Sequence, residues 1–360
     1  MTTKTITLAK AYHPGITLDE KLKEERMSIK EFAVRTSKPE KTIIAVIKGE
    51  SSITTEMAIA FENVTKIPAH FWISKQQLYD EYKARIKRAE TFAHSVEWVK
   101  SFPLKEMIKR NWLPQCATPE EKVNALLSFF GMSNEKAWEN YYINEELKIA
   151  FRLSLAHTKN PHAISAWLRQ GELQSKEITT ESPYSIKKLK SLLPSMKEIM
   201  AKEDDNYFKA LQALCLEAGI ILIETDCLPK APINGATRWI NDTPIIQLSN
   251  RYHRYDIFWF TFFHEIGHIL LHGKKDVFLE GEIMTKQQED KEKEADDFSS
   301  ELLFSTQEEE KLIHSGNLSE LSIIRTAEAC HTHPSIIVGR LQYKGIIPHW
   351  EMKNLLKTIS

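Results

Sequence analysis

Apolar residues in the first quarter of this chain return every three or four positions, the period of helices with one buried face. Asp19 to Arg26 is one such stretch. Ser28, with Glu31 three residues on, predicts a capped helix through Arg35. Pro39 predicts the first turn of a third helix that runs to Lys48 before Gly49. Thr54 or Thr55 opens a fourth, rich in Met57, Ala58, Ile59 and Phe61, and Gln76 to Arg88 reads as a charged helix. The second and third helices, joined by the short turn Thr36-Ser37-Lys38, have the size of a helix-turn-helix. A small bundle used only for protein contact has the same pattern.

Further along, residues 119–216 remain mostly helical in period. The stretch Glu121–Phe130 is closed by Gly131, Ala163–Gln170 by Gly171, and Ser185–Leu193 by Pro194. The period then changes. Gly219 to Ile223 is a short, continuously apolar strand, and two strand-like runs, Thr237–Ile240 and Ile245–Ser249, flank the turn Asn241-Asp242-Thr243-Pro244. A helix over Ser335–Gln342 ends before Gly345. These elements predict a mainly α fold with a small β-sheet (α+β). They divide the chain into residues 1–88, a linker at 89–118, a helical middle region at 119–216 and a last domain at 217–360.

The chemistry is concentrated in the apolar run Phe260 to Leu271, which contains His264-Glu265-Ile266-Gly267-His268. Residues four apart share one helix face, so both imidazoles can address one cation. Glu265 lies roughly 100° around the same helix, suited to hold a water and take its proton. Burying these three groups among Phe262, Phe263, Ile266, Ile269 and Leu270 would cost several kcal/mol without a partner. A metal removes much of that cost. Downstream, Ala295, Phe298 and Leu302 mark the buried stripe of another helix. Glu292 lies about 60° from that stripe and Glu294 about 100° away on the other flank. Glu292 is therefore the preferred third ligand and Glu294 the fallback. Asp296, one turn on, is placed to accept the second N–H of a ligating His.

With Glu292-Lys293-Glu294-Ala295-Asp296-Asp297-Phe298-Ser299-Ser300-Glu301-Leu302-Leu303 following His264 to His272, the chain resembles the ImmA/IrrE family of zinc metalloendopeptidases. That family's pattern is H-E-x-x-H, then E-x-x-A-[N/D]-x-F-A-x-x-L-L. Ser299 and Ser300 stand in place of small alanines, and Phe304 where Met-Pro is frequent. The resemblance implies a zincin-like domain preceded by a short sheet. It makes His264, His268 and Glu292 ligands of one Zn²⁺, with Mn²⁺ or Fe²⁺ open to the same N,N,O set, and Glu265 the general base. It implies a protein substrate of regulatory kind: a repressor, a toxin partner or the chain itself. Tyr252, His253, Tyr255 and His272 are candidates for stabilising the oxyanion by nearness in sequence, with an ordinary hydrogen-bonded role as the alternative for each. His331 and His333 are too distant to displace Glu292.

Charge adds a second functional hint. The whole chain carries a net charge of −1, but residues 1–88 hold 16 Lys and Arg against 11 Asp and Glu. A basic N-terminal piece suits an anionic partner. His13-Pro14-Gly15, Ile29-Lys30-Glu31-Phe32-Ala33, Lys48-Gly49, Ile53-Thr54-Thr55-Glu56-Met57-Ala58 and Phe71-Trp72-Ile73 resemble HigA-type antitoxins of the Xre helix-turn-helix class. That resemblance implies a homodimer on operator DNA, able to hold a toxin. It makes Pro39–Lys48 the recognition helix, presenting Glu40, Lys41, Thr42, Ile44, Ala45 and Lys48, with Lys38 near the phosphates. No Arg, Asn or Gln lies on that face, so paired base contacts are scarce. The middle region is similar to that of proteins joining both modules. A regulator whose metal domain senses or scaffolds without cleaving is the competing expectation.

Four cysteines at 116, 215, 227 and 330 form no C-x-x-C or ladder and read as reduced packing residues. The first residues lack the apolar core of an export signal, and the run Ile257 to Leu271 is too short and too ionisable to span a bilayer. A cytosolic protein without membrane association is expected.

Overall fold

The computed structural model describes residues 11–359 except 144–159, 181, 204–205, 232, 252, 273–277 and 280–285. The chain forms two compact units, 1–95 and 96–360.

The first unit is a helical bundle: α1 (Pro14–Glu24), α2 (Ile29–Arg35), α3 (Glu40–Ile47), α4 (Thr55–Thr65) and the beginning of α5 (Ala69–Lys100). Local chemistry sets the helix ends. Ser28 Oγ accepts the Glu31 amide at 3.1 Å, Thr54 Oγ1 accepts the Met57 amide at 3.2 Å, and His13 Nδ1 accepts the Gly15 amide at 3.0 Å. The first helix begins at Pro14, ahead of the expected Asp19, because that proline and the His13 cap supply an earlier start. Glu31 turns forward to Arg35 at 2.6 Å. Leu18, Leu22, Phe32, Ile43, Val46, Met57, Phe61 and Trp72 form the shared core.

The expected boundary at residue 88 falls inside α5, which continues to Lys100, and the expected linker contains α6 (Leu104–Lys109). Trp98 and Val99 of α5, Phe102 between the helices and Met107 of α6 are buried, so this stretch packs into the fold.

The second unit continues through α7 (Pro119–Phe130), α8 (Glu135–Tyr142), α9 (Pro161–Ser175), α10 (Ile186–Ala201) and α11 (Tyr207–Glu217). Thr118 and Glu121 close a capping box on α7, and Gly131 ends it with φ +68°. Two expected stops are overridden. Gly171 is buried inside α9 against Gln247, and Pro194 sits inside α10. An interior proline costs about 3 kcal/mol. The buried stripe Leu189, Leu192, Met196 and Met200 lies on both sides of Pro194, and its burial offsets that cost.

The sheet has the order β1-β3-β2-β4, built from β1 (Ile221–Thr225), β2 (Gly235–Ile240), β3 (Thr243–Ser249) and the two-residue β4 (Phe278–Leu279). β1 starts two residues later than the pattern predicted, since Gly219, with φ +74°, belongs to the turn after α11. The hairpin closes in two residues, Asn241 and Asp242, with φ of 48° and 67°, so Thr243 and Pro244 join β3. Two left-handed residues give the turn twist that suits antiparallel strands. β1 lies parallel to β3.

Against β2 and β3 packs α12 (Tyr255–Leu271), and against α12 packs α13 (Lys286–Leu303), followed by α14 (Thr306–His314), α15 (Glu320–Ala329) and α16 (Pro334–Tyr343). Trp259, Phe262, Phe263 and Ile266 of α12 join Leu222, Ile246, Leu303 and Ile337 in the main core. The four cysteines are free thiols. Among the described residues no helix is long and apolar enough to cross a membrane.

Candidate metal centre

The site stands on α12 and α13. Gly267 of α12 faces Ala295 and Phe298 of α13, and a Cβ there would lie 3.2 Å from the Ala295 Cα. Glycine thus permits the close approach. Ser299 adds a tether, its Oγ donating to the Phe260 carbonyl at 2.9 Å. One turn before Ala295, Glu292 meets the histidine pair. Its Oε2 is 3.1 Å from His264 Nε2 and its Oε1 3.4 Å from His268 Nε2. The two Nε2 atoms are 2.9 Å apart. All three ligand-capable atoms fall within 4.8 Å of one another.

Behind this cluster, Asp296 Oδ1 lies 2.8 Å from His264 Nδ1. Glu294, the fallback ligand, is turned away from the cluster. Its Oε2 lies 3.1 Å from His272 Nε2, and His272 Nδ1 lies 3.0 Å from His268 Nδ1. Glu265 is fully buried. Its carboxylate lies against Gly235 at the start of β2, where a Cβ would come within 2.5 Å of Oε1 and 2.7 Å of Thr261 Cγ2.

Electrostatics follow from crowding. Burial opposes ionisation of Glu292, but the two imidazoles overturn that and hold its pKa down to about 2. Burial also pulls His264 down, yet the carboxylates of Asp296, Glu292 and Glu265 raise it to about 11. Burial dominates at His268, which has only Glu292 in its favour and His264 and His272 against it, and lowers it to about 4. Two imidazole nitrogens and a carboxylate oxygen are the donor set that borderline divalent cations such as zinc prefer. The residues present fit such an ion.

The other predicted residues are placed as follows. Tyr252 lies outside the described residues. The Tyr255 hydroxyl is committed to the Met200 carbonyl at 2.6 Å in the core, and His272 is engaged with His268 and Glu294, so nearness in sequence did not place either as an oxyanion donor. His333 pairs with Glu203. In the first unit Glu40 and Lys41 are exposed on α3 and Lys48 just after it, while Thr42, Ile44 and Ala45 are half-buried. Lys38 is paired with Glu56, which blunts its expected part at the phosphates. Gly235 carries no signal in the sequence, while His272 and Glu294, expected as an oxyanion candidate and a fallback ligand, lie instead against His268 and against each other. A third histidine four residues after His268 was the available signal for His272.

Residues 217–328 match the model of the IrrE N-terminal-like domain, the Peptidase_M78 family. That match supports a metallopeptidase family for this stretch, which holds His264, His268 and Glu292. The N-terminal region is similar to solved antitoxin structures. One is an antidote protein of a plasmid maintenance system from Nostoc punctiforme, with 26% identity over 24% of this chain and 94% of that one, at a TM-score of 0.23. A HigA-family addiction-module antidote from Coxiella burnetii shares 26% identity, covering 24% of this chain and 95% of that one, TM-score 0.22. Pseudomonas aeruginosa antitoxin HigA with the higBA promoter gives 26%, 24%, 94% and 0.22 for the same measures. No curated protein matches the chain.

Proposed function

We propose that the chain is a cytosolic DNA-binding regulator of antitoxin type with a zinc-dependent endopeptidase centre in residues 217–360. The observation that carries the enzymatic part is the convergence of His264, His268 and Glu292 from two helices beside the buried Glu265. In this reading those three residues hold one Zn²⁺, or Mn²⁺ or Fe²⁺, and Asp296 orients His264. When bound, the ion supplies Lewis acidity and lowers the pKa of water toward ~7. Glu265 takes the proton from the attacking water and returns it to the leaving amine. Its seat against Gly235 and Thr261 fixes where that proton is held.

The substrate class is a regulatory protein: a repressor, a toxin partner or the chain's own helix-turn-helix. The basic first unit, with Lys41 exposed on α3 and Lys48 just after it, favours binding to operator DNA, which this reading assigns to a homodimer. Glu265→Gln decides whether the centre cleaves. The variant should retain zinc and leave candidate partners and the chain itself intact where wild type cuts them. Identical fragment patterns from both proteins would leave a regulator whose metal domain senses or scaffolds.

A further inference from the structure

The two histidines of the centre are braced differently. His264 has a carboxylate directly at Nδ1, Asp296 at 2.8 Å. His268 has another imidazole there, His272 Nδ1 at 3.0 Å, and beyond it Glu294 at 3.1 Å from His272 Nε2. His264, His268 and His272 follow one another at four-residue steps on the same face. His272 is the first residue past the helix, with extended φ −113° and ψ 157°, and its amide still donates to the His268 carbonyl at 3.1 Å. Its side chain is 3% exposed, whereas that of Glu294 is 63% exposed.

We infer that His272 and Glu294 are positioning residues that orient His268 and fix its tautomer. The inference rests on the metal-site reading above through one requirement: His268 Nε2 must offer its lone pair to the cation. The ring's proton is then on Nδ1. An Nδ1–H facing the Nδ1 of a second ring needs that nitrogen bare. His272 therefore carries its own proton on Nε2 and donates it to Glu294. One condition at the metal end sets the direction of both hydrogen bonds. Glu294 is the anionic end of the arm. Its charge makes His272 Nδ1 a better acceptor and so strengthens the hold on the His268 Nδ1–H. The carboxylate that the spacing offered as a fallback ligand thus acts at two removes.

The test is zinc affinity of the full chain, measured by competition with a chromophoric chelator, together with the visible spectrum of the Co²⁺-loaded protein. His272→Asn places an amide oxygen about where Nδ1 lies and keeps an acceptor. His272→Leu keeps bulk without one. Glu294→Gln keeps a hydrogen bond and loses the charge. Metal-site partners of this kind change affinity by roughly 10- to 100-fold. His272→Leu should weaken zinc by at least about 10-fold, and His272→Asn and Glu294→Gln, each of which keeps an acceptor for the next ring but loses the charged end of the arm, should fall between it and wild type. The Co²⁺ band should shift in His272→Leu and return in His272→Asn. Equal affinity in wild type and His272→Leu, or equal losses in the Leu and Asn variants, would overturn the arm while leaving the metal site standing. Failure of wild type to bind zinc at all would overturn the metal reading itself. Should His272→Leu not fold, Glu294→Gln, at an exposed position, carries the test, and unchanged affinity there overturns the role of the charge.

Discussion

Gly235→Ala is the sharpest perturbation of the proposed cleavage chemistry, because it reaches Glu265 without touching any of the three proposed ligands. Gly235 pairs with Leu248 in the sheet, and its φ lies outside the left-handed region, so alanine is conformationally acceptable. The obstacle is space. The new Cβ would stand 2.5 Å from Glu265 Oε1, 3.1 Å from its Cδ and 2.7 Å from Thr261 Cγ2. To regain ordinary van der Waals separation the carboxylate must retreat by about 1 Å. A displacement of that size costs roughly 100-fold in rate, or about 2.7 kcal/mol of barrier. Overpacking would also lower stability by about 1–3 kcal/mol. The assay is digestion of a peptide library, scored by mass spectrometry, beside zinc content and thermal unfolding of the same preparations. The expected result is a folded, zinc-replete protein with cleavage reduced about 100-fold. Wild-type cleavage by Gly235→Ala would refute the assignment of Glu265 as a base held by this wall. Loss of zinc would refute the claim that the wall and the ligand set act separately.

Other consequences follow from the same geometry. Chelation should lower the unfolding midpoint of wild type by on the order of 10 °C, since a ligand at a thousandfold excess over Kd stabilises by about 4 kcal/mol. Glu292→Ala should show a much smaller chelator effect in differential scanning fluorimetry, and an unchanged shift would remove Glu292 from the ligand set. In the first unit, Lys41→Ala with Lys48→Ala should flatten the dependence of log affinity for operator DNA on log salt by roughly 2. Lys38→Ala, already paired with Glu56, should change it little, and an unaltered slope in the double variant favours a protein-contact bundle. His162, stacked on Trp138 with ring centroids 4.7 Å apart, has its pKa lowered by burial. A depressed histidine contributes stability that is present above its unfolded value of ~6.5 and lost as pH falls through the folded value, at most about 1.4 kcal/mol per pH unit and less for a partly buried ring. His162→Phe should therefore show a shallower acid limb in urea unfolding followed from pH 7 to 5, and an unchanged limb would refute that account.

Much of this protein was legible in one dimension, because the signals are local. A four-residue step brings His264 and His268 to one face whatever surrounds the helix, and the stripe of Ala295, Phe298 and Leu302 orients α13 strongly enough to favour Glu292 over Glu294. Ser28 and Thr54 act on backbone groups within a few residues, so the starts of the second and fourth helices follow from covalent neighbourhood. What failed to show were outcomes decided by distant partners. Pro194 reads as a stop until the buried stripe on both sides of it outweighs a missing hydrogen bond. Gly171 reads as an end until Gln247, from a strand far along the chain, fills the space at its backbone. The charged stretch after residue 88 reads as linker until Trp98, Phe102 and Met107 are seen buried. At the site itself, periodicity indicates which side chains share a face but not which atoms across two helices come within hydrogen-bond reach. That is why Glu294 could be ranked in sequence yet its meeting with His272 could not. It is also why Gly235 acquires significance only when β2 is laid against α12. Steps along a helix are fixed by backbone geometry, whereas contacts between elements depend on how the whole core packs.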